Sequence, residues 1–437
     1  MNTPSQPLPP GQRPRLALVP DRVWNPPDSD TQPGKALLIS AGRIEGLTDL
    51  KTLPGDLDRV RFPGCTLMPG LIDAHVHMAS WMVPALLAAG VTTVRDIGNN
   101  LEWILGLRSR LDADPRPTPR VRCCGPVLDG SHVNWPLLGE GHEDPAAVAA
   151  TVDRLAAAGV DEIKLYVHLD LEQVKAAVVA GRRAGVPVVA HLGKVDALEA
   201  ARAGVAELQH LSGIIHPLDG SHLVDLREVT TGLIEADTAL CPTVIVWDRL
   251  ARLSHFVSRP DPRLRWVPDE IKESWDAFPH RHDPEGSRGR MAAVAEIRRA
   301  IPAFYQAGVP IVVGTDAPWP YLIPGFSLHD ELAMLTTSGL TPAQVLTAAT
   351  REASRRLGID HLTGTLEEGK SADLLLVEGN PVSEIDDIRR VREVFRAGQL
   401  VDVAALEPGA FHPEDPVNGS LIAYAKGVSR PMGAHHC

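Results

Sequence analysis

Several features that assign a chain to a familiar class are missing from this sequence. It has no apolar run of about 18 residues, the length that a membrane-crossing helix needs. Its polar, Pro-rich N-terminus has no apolar stretch of the kind found in signal peptides. It has no run of Lys or Arg, and its formal net charge is -12. We therefore expect a cytoplasmic protein with a small-molecule substrate, and neither nucleic acid nor a membrane as partner.

Cysteine is also scarce. The chain has five cysteines and no C-x-x-C, so neither a disulfide framework nor a thiolate zinc site is predicted. No Gly-rich phosphate loop follows an early strand, which disfavours a doubly wound nucleotide-binding sheet. What is present is 437 residues with 44% apolar content. That is enough for a barrel of roughly 250 residues and a smaller domain.

Eight apolar, strand-like runs alternate with helix-like segments in the middle of the chain. The runs are 71–77, 91–98, 120–128, 161–167, 186–192, 206–211, 239–247 and 310–317. Several of the helix-like segments end in Ala-Gly, a common helix stop. This alternation predicts an α/β protein with a (β/α)8 TIM barrel over 67–361, with an open doubly wound sheet as the alternative.

The two ends of the chain have a different pattern, of short strands and turns. Residues 15–66 are too few to form their own core, and residues 362–405 show the same pattern. We expect these two segments to form one small β-sandwich domain. Residues 1–14 are predicted to be disordered, and residues 406–437 to be a solvated C-terminal tail.

Residue types that bind metals lie at the predicted strand ends, where barrel enzymes have their active sites. His75 and His77 end the first strand two positions apart, so both side chains project from one face. Later strands carry His191, His210 and Asp316. Imidazole and carboxylate groups are common ligands of divalent metals. The pattern therefore predicts a metal site at the mouth of the barrel.

Lys164 lies in the apolar run 161–167. Alternation puts Ile163 and Leu165 on one face of this strand, and Lys164 and Tyr166 on the other. If the apolar face packs against the helices, Lys164 points into the barrel. Burying an unpaired ammonium group is costly, so Lys164 must be paired, neutralised or chemically changed.

These motifs resemble those of the amidohydrolase superfamily, and in particular its imidazolonepropionase-like and Xaa-Pro dipeptidase-like (prolidase-like) members. The segments that carry the resemblance are MPGLIDAHVH (68–77), AAGVTTVRDIG (88–98), DEIKLYV (161–167), VVAHLGK (188–194), LQHLSG (208–213), VGTDA (313–317) and LTGTLEEGKSADLLLVEGNP (362–381). The resemblance implies a metal-dependent hydrolase of carbon–nitrogen bonds other than esters. Its substrate would be a small amide such as a dipeptide or an N-acyl amino acid.

The resemblance also implies two divalent metal ions, and imidazole-rich ligation favours zinc. The implied ligands are His75, His77, Lys164, His191, His210 and Asp316. The first two histidines and Asp316 would share one ion, and the other two histidines the second. A carbamate on Lys164, formed with carbon dioxide, and a hydroxide would bridge the ions. That hydroxide would attack the amide, and Asp316 would pass its proton to the leaving amine.

Three more residues are candidates for contact with the substrate. His132 follows the third strand, where related dipeptidase-like enzymes have a histidine near the substrate. Tyr166 faces inward and is predicted to hydrogen-bond a substrate oxygen, unless it only fills the top of the barrel. Lys194, which follows His191 closely, could contact a carboxylate. We assign catalytic roles to His132 and Tyr166 together with Asp316.

Two segments bear on access to the site. The segment 248–290 is long for a loop between a strand and a helix. Its tryptophans and arginines predict either a lid that binds an acyl chain or carboxylate, or a contact within a homo-oligomer. The connection after His77, Met78-Ala79-Ser80, is short. Because relatives often have a longer insertion there, we expect an open mouth.

Three alternative functions stay open. A mononuclear deaminase of the same superfamily would lack Lys164 and would have a glutamate where this chain has Lys194. A cyclic amide or lactone hydrolase would use the same ligands on a different substrate. An inactive scaffold would have lost ligands, whereas all six positions are filled here.

Overall fold

A computed structural model describes residues 15–427, apart from residues 56, 258, 260 and 279–282. The predicted disordered segment 1–14 and the end of the predicted tail lie outside the described residues. The strands are β1 (Leu16–Val23), β2 (Gln32–Pro33), β3 (Lys35–Ser40), β4 (Arg43–Asp49), β5 (Asp58–Pro69), β6 (Leu71–Val76), β7 (Val91–Asp96), β8 (Arg120–Cys123), β9 (Val127–Asp129), β10 (Gly139–Gly141), β11 (Ile163–Leu165), β12 (Val188–Ala190), β13 (Glu207–Gln209), β14 (Ala239–Cys241), β15 (Leu374–Glu378), β16 (Val391–Arg396) and β17 (Gln399–Val401).

The helices are α1 (Val83–Ala88), α2 (Leu101–Ala113), α3 (Pro145–Ala158), α4 (Leu171–Ala184), α5 (Ala197–Ala203), α6 (Leu226–Glu235), α7 (Val244–Ala251), α8 (Leu253–Val257), α9 (Asp269–Asp276), α10 (Pro284–Ala307), α11 (Phe326–Thr337), α12 (Pro342–Thr347), α13 (Ala353–Arg356) and α14 (Pro416–Ala425). Several end at the Ala-Gly pairs seen in the sequence. Gly159 and Gly185 follow α3 and α4 with φ of 88° and 74°. This left-handed conformation suits glycine and stops each helix before the next strand. No helix among the described residues is both long and apolar enough to cross a membrane.

Strands from the two ends of the chain share one sheet. Its order is β17-β16-β15-β5-β1-β3-β4, and β2 pairs with β1. The two ends meet where β15 runs antiparallel to β5, with Leu376 opposite Leu67. Both residues are fully buried. The segment before the barrel is therefore held by hydrogen bonds to the segment that follows it.

The parallel strands between these ends are arranged as in a TIM barrel. β6, β7 and β8 pair in one run, and β9, β11, β12, β13 and β14 in another. The amide of Asp161, which precedes β11, donates to the carbonyl of Cys123 at the end of β8. The segment 310–317 makes one bridge to each of two strands: Ile311 bridges Leu240 of β14, and Ala317 bridges Val76 of β6. The carboxyl ends of these strands consequently face one common opening.

The predicted strand 239–247 is wrong in its second half. The strand ends at Cys241, and α7 begins at Val244. Thr243 has φ of 46°, which turns the chain out of the sheet. The buried carboxylate of Glu331 then accepts hydrogen bonds from the amides of Val244 and Ile245, at 2.9 and 2.7 Å. A carboxylate at free helix amides stabilises a helix start, and this one comes from a distant helix.

The segment 248–290 is largely helical, and two of its arginines pair with an acid. It contains α8, α9, the start of α10 and a short 3₁₀ helix at Pro262–Trp266. The guanidinium groups of Arg249 and Arg263 both pair with Asp330 of α11. The tryptophans of this segment are buried, with Trp275 fully so. These side chains therefore hold α7, the 3₁₀ helix and α9 against the rest of the protein.

Candidate metal centre

All six predicted metal ligands line a single cavity at the carboxyl ends of the strands, which we call the closed cavity. They are His75, His77, Lys164, His191, His210 and Asp316. Five of the six are at least nine-tenths buried, and the side chain of His77 is 18% exposed. Because the residues come from five positions around the barrel, only the fold brings them together.

The backbone is strained at two of these residues. His210 and Asp316 have φ of 61° and 66°. This region costs a non-glycine residue roughly 1–3 kcal/mol and is found mostly at functional sites. Each residue directly follows a strand-like segment. The left-handed turn places the imidazole and the carboxylate over the barrel opening.

Hydrogen bonds fix the orientation of three imidazole rings. Nδ1 of His75 lies 2.7 Å from the Gln209 side-chain oxygen, and Nδ1 of His77 lies 2.8 Å from the Gly98 carbonyl. Nδ1 of His210 lies 2.5 Å from Thr243 Oγ1, whose own proton goes to the Pro242 carbonyl. Each Nδ1 must therefore donate. Nε2 is left as the free lone pair, which is the arrangement typical of metal-binding histidines.

The Nε2 atoms converge on one carboxylate. Nε2 of His75 and of His77 each lie 3.3 Å from Oδ1 of Asp316, and Nε2 of His210 lies 3.8 Å from its Oδ2. Oδ1 is buried and makes no hydrogen bond within the described residues. One ligand atom from each of His75, His77 and Asp316 falls within 4.8 Å of the others. This donor set fits a divalent metal ion.

Burial and charge shift the pKa values of His75 and Asp316 in ways that favour ligation. Burial lowers the pKa of His75 to about 4, so its imidazole is neutral at pH 7. Burial alone would raise the pKa of Asp316, but the adjacent His75 and His77 hold it well below its usual range. Neutral imidazole and ionised carboxylate are the forms that bind metals.

Lys164 is 2% exposed, and burial lowers its pKa to about 8. Among the residues that the structure describes, no carboxylate lies within ion-pair distance of its ammonium group. A substantial fraction of neutral amine at pH 7–8 suits reaction with carbon dioxide. The sequence left three possibilities for Lys164: pairing, neutralisation or chemical change. The described residues do not pair it with an acid.

A second layer of charged residues supports the histidines. Gln209, the partner of His75, donates to Glu207 at 2.7 Å. Glu207 and Glu162 both pair with Arg95, which also donates to the Ala74 carbonyl. Sequence reasoning missed this network. The available signal in the sequence was the alternation of Glu207 and Gln209 on a strand that ends just before the predicted ligand His210.

The structure places the other candidates at different distances from the cavity. Tyr166 lines it, and its hydroxyl accepts a hydrogen bond from Trp135 Nε1 at 3.0 Å. His132 does not line it, and its ring lies 5.1 Å from that of His168. Lys194 borders a neighbouring cavity. The catalytic roles given to Tyr166, His132 and Asp316 stay predictions.

The neighbouring cavity, which we call the side cavity, shares His191 and His210 with the closed cavity. It is also lined by Lys194, His216 and Trp247. Its volume is about 390 Å³, against about 40 Å³ for the closed cavity. His191 and His210 therefore line both the closed cavity and the larger side cavity.

The expected open mouth is wrong, and the expected solvated tail is wrong for residues 416–425. Residues of α14 line the closed cavity across from the histidines. Its buried residues include Val417, Leu421 and Tyr424, which are spaced i, i+4 and i+7 and form one apolar helix face. That spacing was the signal in the sequence. The buried face covers the opening that the short connection after His77 leaves.

Comparisons with known proteins agree with this architecture. The sequence profile of the amidohydrolase family matches residues 66–401. The imidazolonepropionase of Thermoplasma volcanium is 35% identical over 105 residues, which are 22% of this chain and 25% of that protein. This chain thus matches a quarter of the length of that relative.

Two solved structures share the fold. A Xaa-Pro dipeptidase with methionine bound in its active site is 21% identical, with a TM-score of 0.71 over 89% of this chain and 99% of that one. The bottromycin amidohydrolase is 26% identical, with a TM-score of 0.70 over 90% and 89% of the respective chains. The profile covers well over half of the sequence and confirms the predicted superfamily. The chain belongs to the amidohydrolase family.

Proposed function

We propose that this protein is a metal-dependent hydrolase of the amide carbon–nitrogen bond in a small substrate, such as a dipeptide or an N-acyl amino acid. The observation that carries the proposal is the closed cavity, where oriented imidazoles, an ionised carboxylate and a buried lysine without an acid partner among the described residues converge. Family membership and the amide-cleaving relatives support the same class of reaction.

The proposed centre is binuclear. His75, His77 and Asp316 would hold one ion, and His191 and His210 the other. Lys164, as its carbamate, would be an anionic ligand to both. Bound divalent ions, with zinc as first choice, would supply an activated water and polarise the substrate carbonyl.

Asp316 is the proposed proton carrier. Its Oδ1 is buried without a hydrogen-bond partner among the described residues, so it can accept a proton from the attacking water. The same carboxyl group would then donate that proton to the leaving amine nitrogen. A positioned carboxylate that does both avoids releasing an unprotonated amine anion.

The side cavity is the proposed site for the carboxylate end of the substrate. It is wide enough for an amino acid, and the exposed ammonium of Lys194 lies at its wall. His168, which lines the same cavity, connects it to His132. Tyr166, on the closed-cavity side, would hydrogen-bond the oxygen of the scissile amide. A substrate in this position has its amide bond beside His191 and His210.

The test is a screen of dipeptides, N-acyl amino acids, lactones and cyclic amides on protein whose metal content is measured in parallel. We expect two metal ions per chain and release of a free amino acid. One ion per chain with release of ammonia from a heterocycle would overturn the proposal in favour of a deaminase. Cleavage of cyclic amides or lactones alone would retain the centre but reject the substrate class.

A further inference from the structure

The C-terminal helix α14 is anchored beside the metal centre by buried polar groups. Asp415 precedes it and accepts hydrogen bonds from the amide and hydroxyl of Ser80, at 2.8 and 2.6 Å. Asn418, in its first turn, accepts from the indole of Trp81 at 3.0 Å. Both acceptors are at most 3% exposed. Buried polar groups paired in this way fix the position of a helix. The helix lies outside the segment 66–401 that the family profile matches.

Aromatic rings seat the other end of the helix. Tyr424 stacks on Phe278 with ring centroids 4.6 Å apart, and its ring lies 5.4 Å from that of Trp135. Trp135 in turn meets Trp319 edge to face at 4.9 Å. Such pairs prefer a narrow range of geometries. The helix is therefore held at both ends, and residues between them line the closed cavity.

The helix presents Val417, Ser420 and Leu421 to the cavity. Val127 and Leu138 line it as well, so the space around the metal ligands is mostly apolar. Ser420 is 6% exposed, and its hydroxyl has no hydrogen-bond partner among the described residues. A buried hydroxyl without a partner is costly, and a ligand atom in the cavity would supply one.

We propose that α14 is the wall that selects the substrate by size: it admits a compact, uncharged, apolar group and rejects a larger one. Leu421 sets the limit, and the Ser420 hydroxyl hydrogen-bonds the bound group. This inference deepens the proposed function because it assigns the acyl side of the same site. The preferred substrates are then amides of short acyl groups, whose other half lies in the side cavity.

The test measures binding of alkyl and aryl hydroxamates to the metal-loaded full chain by calorimetry, which needs no turnover. Wild type should bind acetohydroxamate more tightly than hexanohydroxamate or benzohydroxamate. Leu421→Ala should shift this ratio toward the larger probes by about tenfold, as expected for a change of pocket size. Leu421→Phe should shift it the other way. The matched control is Ile422→Ala, on the partly exposed side of the same helix, which should leave the ratio at the wild-type value.

Ser420→Ala removes only the hydroxyl. It should weaken binding of all three probes alike, by about threefold to tenfold for one lost hydrogen bond. An unchanged ratio in both Leu421 variants, or a shift equal to that of Ile422→Ala, would overturn size selection by α14. Size selection by α14 would also be overturned if metal-loaded wild type bound none of the three probes. If the hydroxamate binding ratios are as expected but the protein cleaves no amide, size selection by α14 is supported and the proposed function is rejected.

Discussion

The two sides of the closed cavity differ in polarity and in the contacts that hold them in place. The floor, formed by the six predicted metal ligands at the strand ends, is polar, strained at two residues and fixed by hydrogen bonds. The roof, formed by α14 with Trp135 and Trp319, is mostly apolar and fixed by ring packing. The floor lies within the segment that the family profile matches, whereas α14 lies beyond it. From our two proposals we therefore expect the chemistry to depend on the floor and the choice of substrate on the roof.

Removing the lysine from the floor should have the largest effect. Lys164→Ala should abolish turnover and lower metal content from two ions per chain toward one, because the bridging anion is lost. Short carboxylic acids should restore part of the activity. Metal analysis and rates measure both, with the exposed Lys175→Ala as the control, which should behave as wild type. Full activity in Lys164→Ala would rule out the binuclear centre.

Asp316→Asn should separate metal binding from proton transfer. The amide still offers an oxygen ligand, so metal content should fall less than the rate. The rate should drop by about 10²–10⁴-fold, the usual contribution of a positioned acid–base group. Steady-state kinetics at matched metal content measure this. A wild-type rate would remove Asp316 as the proton carrier.

Gln209→Leu tests the layer beneath the floor. Without the side-chain oxygen, His75 loses the acceptor for its Nδ1 proton. Metal affinity should fall by about 10–100-fold, as for other supporting residues at metal sites. Thr238→Val, which removes a buried hydrogen bond to the Val205 carbonyl, is the control. Equal metal loss in both variants would show a general loss of stability instead of loss of ring orientation.

The smallest effect should come from the anchor of the roof. Asp415→Ala leaves the amide of Ser80 and the indole of Trp103 without an acceptor. The free energy of unfolding should fall by about 1–3 kcal/mol, with metal content unchanged. Urea unfolding and metal analysis measure the two quantities, and the exposed Glu407→Ala is the control. Loss of metal in Asp415→Ala would show that floor and roof are coupled.

The strand positions were predictable because apolar runs and glycine stops act over short stretches of chain. The start of α7 was not, because the apolar run continues past Cys241 and the helix start depends on Glu331, far away in sequence. The pairing of Arg249 and Arg263 was not predictable for a similar reason. Their partner, Asp330, cannot be recognised from its neighbours in the sequence.

The ligand types were visible in the sequence, because His75 and His77 share a face by strand geometry alone and Lys164 is conspicuous in an apolar strand. Which atoms of these residues face one another was not visible. The ring orientations depend on Gln209 and Thr243, which only the packed barrel brings to the imidazoles.

The sequence by itself determined the alternation of strands and helices, and hence the face on which His75, His77 and Lys164 lie. Local backbone periodicity is sufficient for that. Only the tertiary structure decided that the C-terminal helix covers this face. Ser80 and Asp415 are 335 positions apart, and an apolar helix face alone does not reveal where it will dock.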